Sequence, residues 1–322
     1  MTESSPTIAV VVVTYNSARF LPDLFASLPA GLGDLNWHLT IADNASSDDT
    51  VAVAHELGRE LTQPVLVVET GRNGGYAAGI NAAVRAAPAH DAILVLNPDI
   101  RLAPGCVPEL VAVQRRRGSG ITVPRIVRAN GDFSPSLRRE ATLVRAFGDA
   151  VLGANRMGRV GRLGEVITDQ RQYTSETVAD WAEGSILLIT RACWDACGEW
   201  DESFFLYSEE TEYALRARDN GFALVYAPNA NARHLEGDSA ANPPLWALLT
   251  LNRVRLYRKR HTLAGASVYW ALLVLREGSR AALGSKTSRR AVRHLLSPAR
   301  MRETPGPASV HPAAKPKVSA TF

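Results

Sequence analysis

The residues best suited to chemistry in this sequence are carboxylates placed next to apolar runs. Asp99 ends one such run, Asp43 follows another, and Glu209 and Glu210 open a segment with helical spacing. A carboxylate can bind a hard divalent cation, accept a hydrogen bond, or act as a general base when its pKa is raised. These three places could therefore hold a metal-bound diphosphate, contact a base and deprotonate a hydroxyl.

Asp99 is the candidate metal ligand. It follows the apolar run 94–96, and a carboxylate at the end of a buried strand can hold Mg²⁺ or Mn²⁺ against diphosphate oxygens. The alternative is a simple Pro-Asp turn that closes the strand. His234 lies just beyond a strand predicted for 222–226, where its imidazole could complete the metal site, although a lone histidine is often structural.

Asp43 and Tyr15 are candidates for binding a pyrimidine. A carboxylate at position 43 can accept the N3–H of uracil or thymine, and the ring of Tyr15 can stack on the base. The alternative is a turn in which Asn44 and Ser46 cap the next helix, and both interpretations can hold together. The glycine-rich run 71–76 follows a predicted strand and opens a helix, so its amides could approach phosphates.

Glu209, Glu210 and Glu212 crowd the start of a predicted helix. Acids in a first turn are favoured by the helix macrodipole, which is a purely structural explanation. Like charges at close range also raise one another's pKa, and a carboxylate with a raised pKa suits a general base.

The first hundred residues alternate between strand and helix patterns. We predict strands at 8–13, 37–42, 65–68 and 92–96, and helices at 17–28, 47–57 and 76–87. This alternation predicts an α/β fold with a mostly parallel, Rossmann-like sheet flanked by helices. Ligands of such sheets bind at the carboxyl ends of the strands, where Thr14, Asp43 and Asp99 would lie.

The rest of the chain is less regular. We predict an irregular segment with a short helix over 134–168, a helix over 208–220, and two amphipathic helices over 243–283. From 285 to 322 the chain is basic and rich in Pro and Ala, and we expect a disordered tail.

Charge and composition indicate the cellular location of the protein and the kind of surface it contacts. The chain has 322 residues, 46% of them hydrophobic, and a net charge of +4, with thirteen Lys and Arg but one acid, Glu277, between positions 253 and 302. This region predicts contact with an anionic membrane surface. The residues expected at the lipid boundary are Trp246, Leu249, Val268, Trp270, Leu273 and Val274, with Arg258, Lys259 and Arg260 at the headgroups. The alternative is an ordinary helical pair that packs on the catalytic domain. No nucleic-acid-binding module is present. Three cysteines and no signal-peptide pattern suit the cytoplasm, so we expect a peripheral protein on the inner face of the plasma membrane.

Taken together, the motifs resemble those of inverting glycosyltransferases of family 2 with the GT-A fold. The resemblance covers about residues 8–239 and is greatest for the bacterial rhamnosyltransferase branch. It rests on Thr14-Tyr15-Asn16, Asp43-Asn44, Asn73-Gly74-Gly75, Asn97-Pro98-Asp99 and Trp200-Asp201-Glu202 running into Glu209-Glu210. Asn97 stands where many members of the family have the first aspartate of a D-x-D motif.

The resemblance implies a role for each matched position. The donor-binding residues would be Thr14, Tyr15, Asn16, Asp43, Asn73, Gly75 and Asn97. Asp99 and His234 would be the metal ligands, Glu210 the base with Glu209 as the alternative, and Trp181, Glu183 and Gly184 the acceptor side.

The expected function is sugar transfer from a dTDP- or UDP-sugar to a glycan or lipid-linked acceptor in cell-envelope synthesis. L-rhamnose is the expected sugar; galactofuranosyl or other hexosyl transfer, or nucleotide-sugar binding without catalysis, are the alternatives. We expect a catalytic domain over 1–240, with a donor half to about 100 and an acceptor half from 101, followed by amphipathic helices over 241–284.

Overall fold

Four parallel strands form the first half of the central sheet. The computed structural model describes residues 5–153, 157, 163–235 and 242–310. The strands are β1 (Thr7–Thr14), β2 (Asn36–Asp43), β3 (Val65–Glu69) and β4 (Ala92–Leu96), in the order β3-β2-β1-β4. The connecting helices are α1 (Leu21–Leu32), α2 (Thr50–Glu60) and α3 (Tyr76–Ala86). The predicted mostly parallel α/β sheet is confirmed for this half.

The second half of the sheet is mixed. Its strands are β5 (Ile100–Leu102), β6 (Ile121–Arg128), β7 (Phe133–Ser134), β9 (Thr177–Ala179), β11 (Ile186–Thr190) and β12 (Leu224–His234). β11 lies antiparallel between β4 and β6, and β12 pairs with β6 in parallel and with β5 antiparallel. The short strands β8 (Leu137–Arg138) and β10 (Trp181–Ala182) form a separate pair. The antiparallel β11 brings the segment that precedes it, 183–185, to the end of β4.

The helices of the second half cover the sheet and continue beyond it. They are α4 (Cys106–Arg117), α5 (Leu143–Val151), α6 (Arg191–Cys197), α7 (Glu209–Asp219), α8 (Pro243–Arg260), α9 (Leu263–Ala282), α10 (Lys286–Leu295), α11 (Pro298–Arg302) and α12 (Pro307–Val310). The predicted helix at 208–220 and the two predicted helices between 243 and 283 are present as α7, α8 and α9.

Two hydrophobic cores lie on opposite faces of the sheet. Alternate residues of β1 explain the division, because Val10 and Val12 pack in one core and Val11 and Val13 pack in the other. A strand buried on both faces needs a continuous apolar run, which β1 has. The close approach of α3 to β1 depends on Gly79, since a Cβ there would lie 2.4 Å from Val13.

The strand ends meet at one edge of the sheet. Thr14 is paired with Asp43 across β1 and β2, and His234 is paired with Ile100 across β12 and β5. Asp99 precedes Ile100, so the pairing of β12 with β5 brings His234 beside Asp99. The predicted placement of Thr14, Asp43 and Asp99 at this edge is confirmed by the strand register.

The C-terminal helices form their own packed layer, and this corrects the predicted lipid contact of Leu273, which is 2% exposed. The indole N–H groups of the half-buried Trp246 and Trp270 donate to Glu277 and to the carbonyl of Leu295, so these rings stabilise the layer. Val268, also predicted at the lipid boundary, is 49% exposed. Within the described part of the chain, no helix combines the length and the apolar character needed to cross a bilayer.

The predicted disordered tail is wrong for residues 286–310, which contain α10, α11 and α12. Ala291 and Leu295 of α10 are buried, and Val310 packs near Leu248 of α8. The segment was predicted to be disordered because its composition is basic and low in hydrophobic residues. A few apolar side chains are nevertheless enough to anchor these short helices. Residues 311–322 lie outside the described part of the chain.

Candidate active site

A cavity of about 1630 Å³ opens at the edge of the sheet where the predicted residues meet. This exceeds the usual size of a single small-molecule pocket, so it has room for a donor and an acceptor together. Eight of the predicted site residues line it: Asn97, Asp99, Trp181, Glu183, Gly184, Glu209, Glu210 and His234. The predicted acceptor, metal and base residues therefore share one cavity.

His234 lies between two carboxylates. Its Nε2 is 3.2 Å from Oδ2 of Asp99, and its Nδ1 is 3.2 Å from Oε1 of Glu183. Burial alone would lower the pKa of His234, but the hydrogen bonds and charges of Asp99 and Glu183 outweigh burial and raise its pKa to about 9. Without a cation the imidazolium therefore donates to both carboxylates at neutral pH, and a cation bound by Nε2 would have to displace the proton that this atom carries.

Asp99 and His234 have the chemistry of ligands for a divalent cation. Their 3.2 Å contact is a hydrogen bond, so both side chains would have to turn towards a cation that they bound together. Among the residues that the structure describes, no cluster of three or more His, Cys, Asp or Glu has metal-binding geometry. A cation here would thus take one carboxylate and one imidazole from the protein and its remaining ligands from phosphates and water, as Mg²⁺ often does.

Glu209 and Glu210 begin α7 but differ in environment. Glu209 is 2% exposed, and its Oε2 has no hydrogen-bond partner among the residues that the structure describes. Burial together with the charge of Glu210 raises the pKa of Glu209 well above the usual value. Glu210 is half-buried, and burial raises its pKa to about 7. A carboxylate with a pKa near neutrality that reaches the cavity is suited to take a proton from a hydroxyl.

Gly184 gives Glu210 its space. A Cβ at position 184 would lie 2.8 Å from Cβ and 3.1 Å from Cγ of Glu210. The carbonyl of Gly184 also accepts a hydrogen bond from the hydroxyl of Tyr76, at 3.3 Å. The segment before β11 therefore forms one wall against the carboxylate of Glu210.

The predicted donor-binding residues other than Asn97 lie outside the lining of this cavity. Asp43 is 2% exposed, and its Oδ1 accepts hydrogen bonds from the hydroxyls of Thr14 (2.8 Å) and Ser46 (2.5 Å). Its Oδ2 accepts from the amide of Ser46 at 2.8 Å. The side chains of Asn44 and Ser46 therefore bond to neighbouring loops, and neither caps α2. Asn16 similarly accepts from the amide of Ser47.

A short chain of contacts joins this region to the cavity. The side-chain amide of Asn44 donates to the carbonyl of Gly75, and the backbone amide of Tyr76 donates to the carbonyl of Phe205, both at 2.9 Å. Gly75 has φ +91°, and a Cβ there would lie 2.2 Å from the Phe205 carbonyl oxygen, so a larger residue does not fit. Asn73 accepts from the amide of Gly75 and supports the same turn.

Comparison with known proteins decides the family. Residues 9–173 match the family described as glycosyl transferase family 2, which is about half of the chain. The chain belongs to glycosyltransferase family 2. The predicted membership is thereby confirmed.

Two curated relatives of the transferase span most of its length. An N-acetylglucosaminyl-diphospho-decaprenol L-rhamnosyltransferase of Mycobacterium tuberculosis is 29% identical over 248 residues, which are 74% of this chain and 78% of the relative. The low-salt glycan biosynthesis hexosyltransferase Agl10 of Haloferax volcanii is 26% identical over 234 residues, 70% of this chain and 66% of the relative.

Solved structures show the same fold. The mannosyltransferase PcManGT from Pyrobaculum calidifontis, in complex with GDP-Man and Mn²⁺, matches with a TM-score of 0.57 and 15% identity, over 90% of this chain and 79% of that one. TarS of S. aureus in complex with UDP matches with a TM-score of 0.53 and 16% identity, over 92% and 82%. The transferase therefore has the GT-A fold.

Two residues that line the cavity had no role predicted from the sequence. Tyr76 lines the cavity, and burial followed by the charges of Glu209, Asp99 and Glu210 raises its pKa well above 10. Arg138 also lines it and lies over the ring of Trp181, 5.8 Å from its centre. Tyr76 is the last residue of the glycine-rich run 71–76, and that motif could have indicated a role for it. Arg138 lies in an irregular segment in which no motif indicates a role.

Proposed function

We propose that this protein is a metal-dependent, inverting rhamnosyltransferase that transfers L-rhamnose from dTDP-rhamnose to a hydroxyl of a polyprenyl-diphosphate-linked sugar. The observation that carries the proposal is that Glu210 and the Asp99–His234 pair line one cavity. Direct displacement needs a base for the acceptor and charge stabilisation for the leaving diphosphate. The name of the mycobacterial relative supports the choice of sugar and acceptor class.

Glu210 acts on the acceptor. Its carboxylate takes the proton of the acceptor hydroxyl as the hydroxyl oxygen forms a bond to the anomeric carbon. The bond from that carbon to the diphosphate oxygen breaks, and the nucleoside diphosphate leaves with the electron pair. A pKa of about 7 leaves much of Glu210 ionised at neutral pH while keeping it basic enough to accept the proton.

The anomeric configuration inverts because the acceptor oxygen displaces the diphosphate in a single step, with one carboxylate, Glu210, acting as the base. Burial and the charge of Glu210 raise the pKa of Glu209, which favours its neutral form and makes it a poorer nucleophile than an ordinary carboxylate. Retention would require a second, ionised nucleophile on the other face of the sugar.

Asp99 and His234, the latter with a neutral imidazole, would hold a divalent cation, Mg²⁺ or Mn²⁺. When bound, the cation offsets the negative charge that develops on the departing diphosphate. Asn97, at the start of the Asn-Pro-Asp turn, lines the same part of the cavity without adding charge. Both PcManGT and GalNAc-T7 were solved with Mn²⁺, which supports a cation of this kind.

The nucleoside lies beside Tyr15 and Asp43. Tyr15 is 39% exposed and offers its ring to the base. A carboxylate has about four lone-pair sites, and three donors from Thr14 and Ser46 leave Asp43 one for the N3–H of a pyrimidine. Asn16, Asn73 and Gly75 shape the loops around the sugar and phosphates.

A lipid-linked acceptor places the enzyme at a membrane surface. We propose attachment to the cytoplasmic face of the plasma membrane, supported by the excess of basic residues in α8, α9 and α10. Residues 1–240 would then be the catalytic domain, with its donor half before about 100 and its acceptor half after, and residues 241–284 would be accessory helices.

Product analysis tests the proposal. The purified enzyme is incubated with dTDP-rhamnose and a short-chain polyprenyl-diphosphate N-acetylglucosamine, with Mn²⁺ or with chelator, and the anomeric configuration of the product is read by NMR. We expect an inverted rhamnoside that depends on the cation. Transfer only from UDP-galactofuranose or another hexose donor would change the sugar, and donor binding without turnover for any acceptor would indicate a non-catalytic binding protein.

A further inference from the structure

Helix α5 presents an apolar stripe to solvent. Val144, Phe147, Val151 and Leu152 are 64%, 57%, 58% and 53% exposed. They recur at i, i+3, i+7 and i+8, which is the spacing of one helix face. Soluble proteins rarely leave several large apolar side chains together on one exposed face, so this stripe is a candidate contact surface.

The opposite face of α5 is anchored. Ala146 is buried, and with Leu143 it packs in the helical layer that contains Tyr269 and Leu273 of α9. The helix starts with Thr142, whose side chain accepts a hydrogen bond from the amide of Arg145. A well-capped helix with one packed face holds the apolar stripe outward in a fixed orientation.

One end of the stripe reaches the active-site cavity, because Leu152 is part of the cavity lining. Arg276 of α9 is 6% exposed and lies with Arg280 beside Glu277, so these two arginines are not the cationic surface. The helical layer has exposed bases at Lys286, Arg289 and Arg293 of α10, and α10 packs on α9 as α5 does.

We propose that α5 lays this stripe into the surface of an anionic phospholipid bilayer, so that the cavity opens towards lipid-linked acceptors. Apolar side chains next to a cationic surface are what an interfacial helix needs. A protein partner bound to the stripe would cover the cavity lining at Leu152. A membrane at the same face would instead bring a lipid-linked acceptor to the cavity. The inference rests on the proposed function for its acceptor, but membrane binding itself is measured without turnover.

Vesicle flotation tests the stripe. Phe147→Asp with Val151→Asp should lower binding to vesicles of phosphatidylcholine and phosphatidylglycerol by about tenfold or more, because charged side chains replace buried apolar area. Val178→Asp is the matched control, since Val178 is 56% exposed but lies on β9. If the double variant fails to fold by circular dichroism, Phe147→Ser takes its place.

The outcomes are distinct. Equal binding of wild type and stripe variants, or no binding of the wild type, would overturn the inference. A wild-type dimer that becomes monomeric in the stripe variants, with vesicle binding unchanged, would assign the stripe to a second copy of this chain. Loss of transfer to every acceptor with intact vesicle binding would instead refute the proposed function alone.

A separate observation concerns the turn before the catalytic acids. Tyr207 and Ser208 have φ of +70° and +76°, a left-handed conformation that non-glycine residues adopt only when their surroundings impose it. Ser208 directly precedes Glu209, so this turn sets the position from which α7 starts. A shift of the turn would carry Glu210 with it.

Asn252 of α8 holds this turn. Its side chain is fully buried, and its Nδ2 donates to the carbonyls of Leu206 and Tyr207, both at 3.0 Å. Its Oδ1 accepts a hydrogen bond from Arg255 at 2.9 Å. Arg255 in turn donates to the carbonyls of Arg300, at 3.0 Å, and Glu303.

We infer that Asn252 is a positioning residue for Glu210, and that the C-terminal helices are part of the catalytic apparatus. The amide can donate two hydrogen bonds while its oxygen accepts from Arg255, which no carboxylate can do. The C-terminal segment is thereby connected through Arg255 and Asn252 to the start of α7.

Asn252→Asp tests this role because it keeps the shape and removes the donors. We expect kcat to fall about tenfold or more, with KM for the donor nearly unchanged and the acid limb of the pH profile shifted, since the environment of Glu210 changes. Asn220→Ala is the control: Asn220 donates to the carbonyl of Arg216 at the other end of α7. Arg255→Lys should give a smaller loss.

Wild-type kcat and pH profile in Asn252→Asp would overturn the inference, as would a lower melting temperature with no kinetic change. If that variant does not fold, Arg255→Ala carries the same test, and an unchanged kcat and pH profile there would be equally decisive.

Discussion

Gly184 and Glu210 are in such close contact that position 184 has no room for a side chain larger than the hydrogen of glycine. A Cβ at Gly184 would lie 2.8 Å from Cβ of Glu210, a distance that real structures essentially never show. The two residues come from the segment before β11 and from the first turn of α7, so their contact fixes where the proposed base can lie.

Gly184→Ala should therefore displace Glu210 and lower kcat by about tenfold or more, because small misplacements of a catalytic group are costly. The measurement is steady-state transfer to a soluble acceptor. Gly278→Ala in α9 is the matched control, since a Cβ there has open space within 4 Å and a helical Gly→Ala change is mildly stabilising. Equal loss in both variants would show a general effect and contradict the specific contact.

Glu210→Gln should remove turnover and leave donor binding intact. The amide cannot accept the acceptor proton, and general-base catalysis typically contributes about 10²–10⁴-fold. Donor affinity is measured by calorimetry with the nucleotide-sugar and Mn²⁺. Glu209→Gln is the comparison: because burial raises the pKa of Glu209 and favours its neutral form, we expect its loss of kcat to be the smaller one. The reverse order would reassign the base.

The rate should fall on the acid side of neutrality. Burial raises the pKa of Glu210 to about 7, and only the ionised form can accept a proton, so kcat should decrease as pH falls through about 7. The pH profile of kcat at saturating acceptor measures this. An acid limb near the ordinary value for glutamate, about 4.3, would mean that Glu210 is solvated in the complex.

Asp99→Asn and His234→Ala should each weaken cation binding in the presence of nucleoside diphosphate. Each change removes one of the two residues proposed to bind the cation, whose side chains are 3.2 Å apart. Mn²⁺ titration followed by electron paramagnetic resonance measures the affinity, and we expect a loss of about tenfold or more. His55→Ala is the control, because His55 is exposed on α2. Unchanged affinity in both variants would place the cation elsewhere.

Local patterns were enough to predict the strands and the ligand-binding edge. The apolar run of β1 has no stable place except a strand buried on both faces, and polar residues directly after such runs must lie at the strand ends. That is why Thr14, Asp43 and Asp99 were placed together correctly. The acids at 209 and 210 were likewise found because helix starts have a recognisable composition.

The C-terminal half shows where local patterns fail. α10 is basic and poor in apolar residues, so its composition resembled a disordered segment, yet Ala291 and Leu295 suffice to anchor it on α8 and α9. Trp246 and Trp270 looked suited to a lipid boundary, but their indole N–H groups find partners inside the protein. Which face of an amphipathic helix is covered depends on neighbours that are distant in sequence.

By itself, the sequence determined the α/β alternation, the family and the residue types at the sheet edge, because these depend on periodicity and on motifs within a few positions. Only the tertiary structure decided which of them act together. The pKa of Glu210 depends on burial, the room beside it depends on Gly184, and the proton on His234 depends on Asp99 and Glu183. Desolvation and close contact arise between segments that meet only when the chain folds, and no local pattern encodes them.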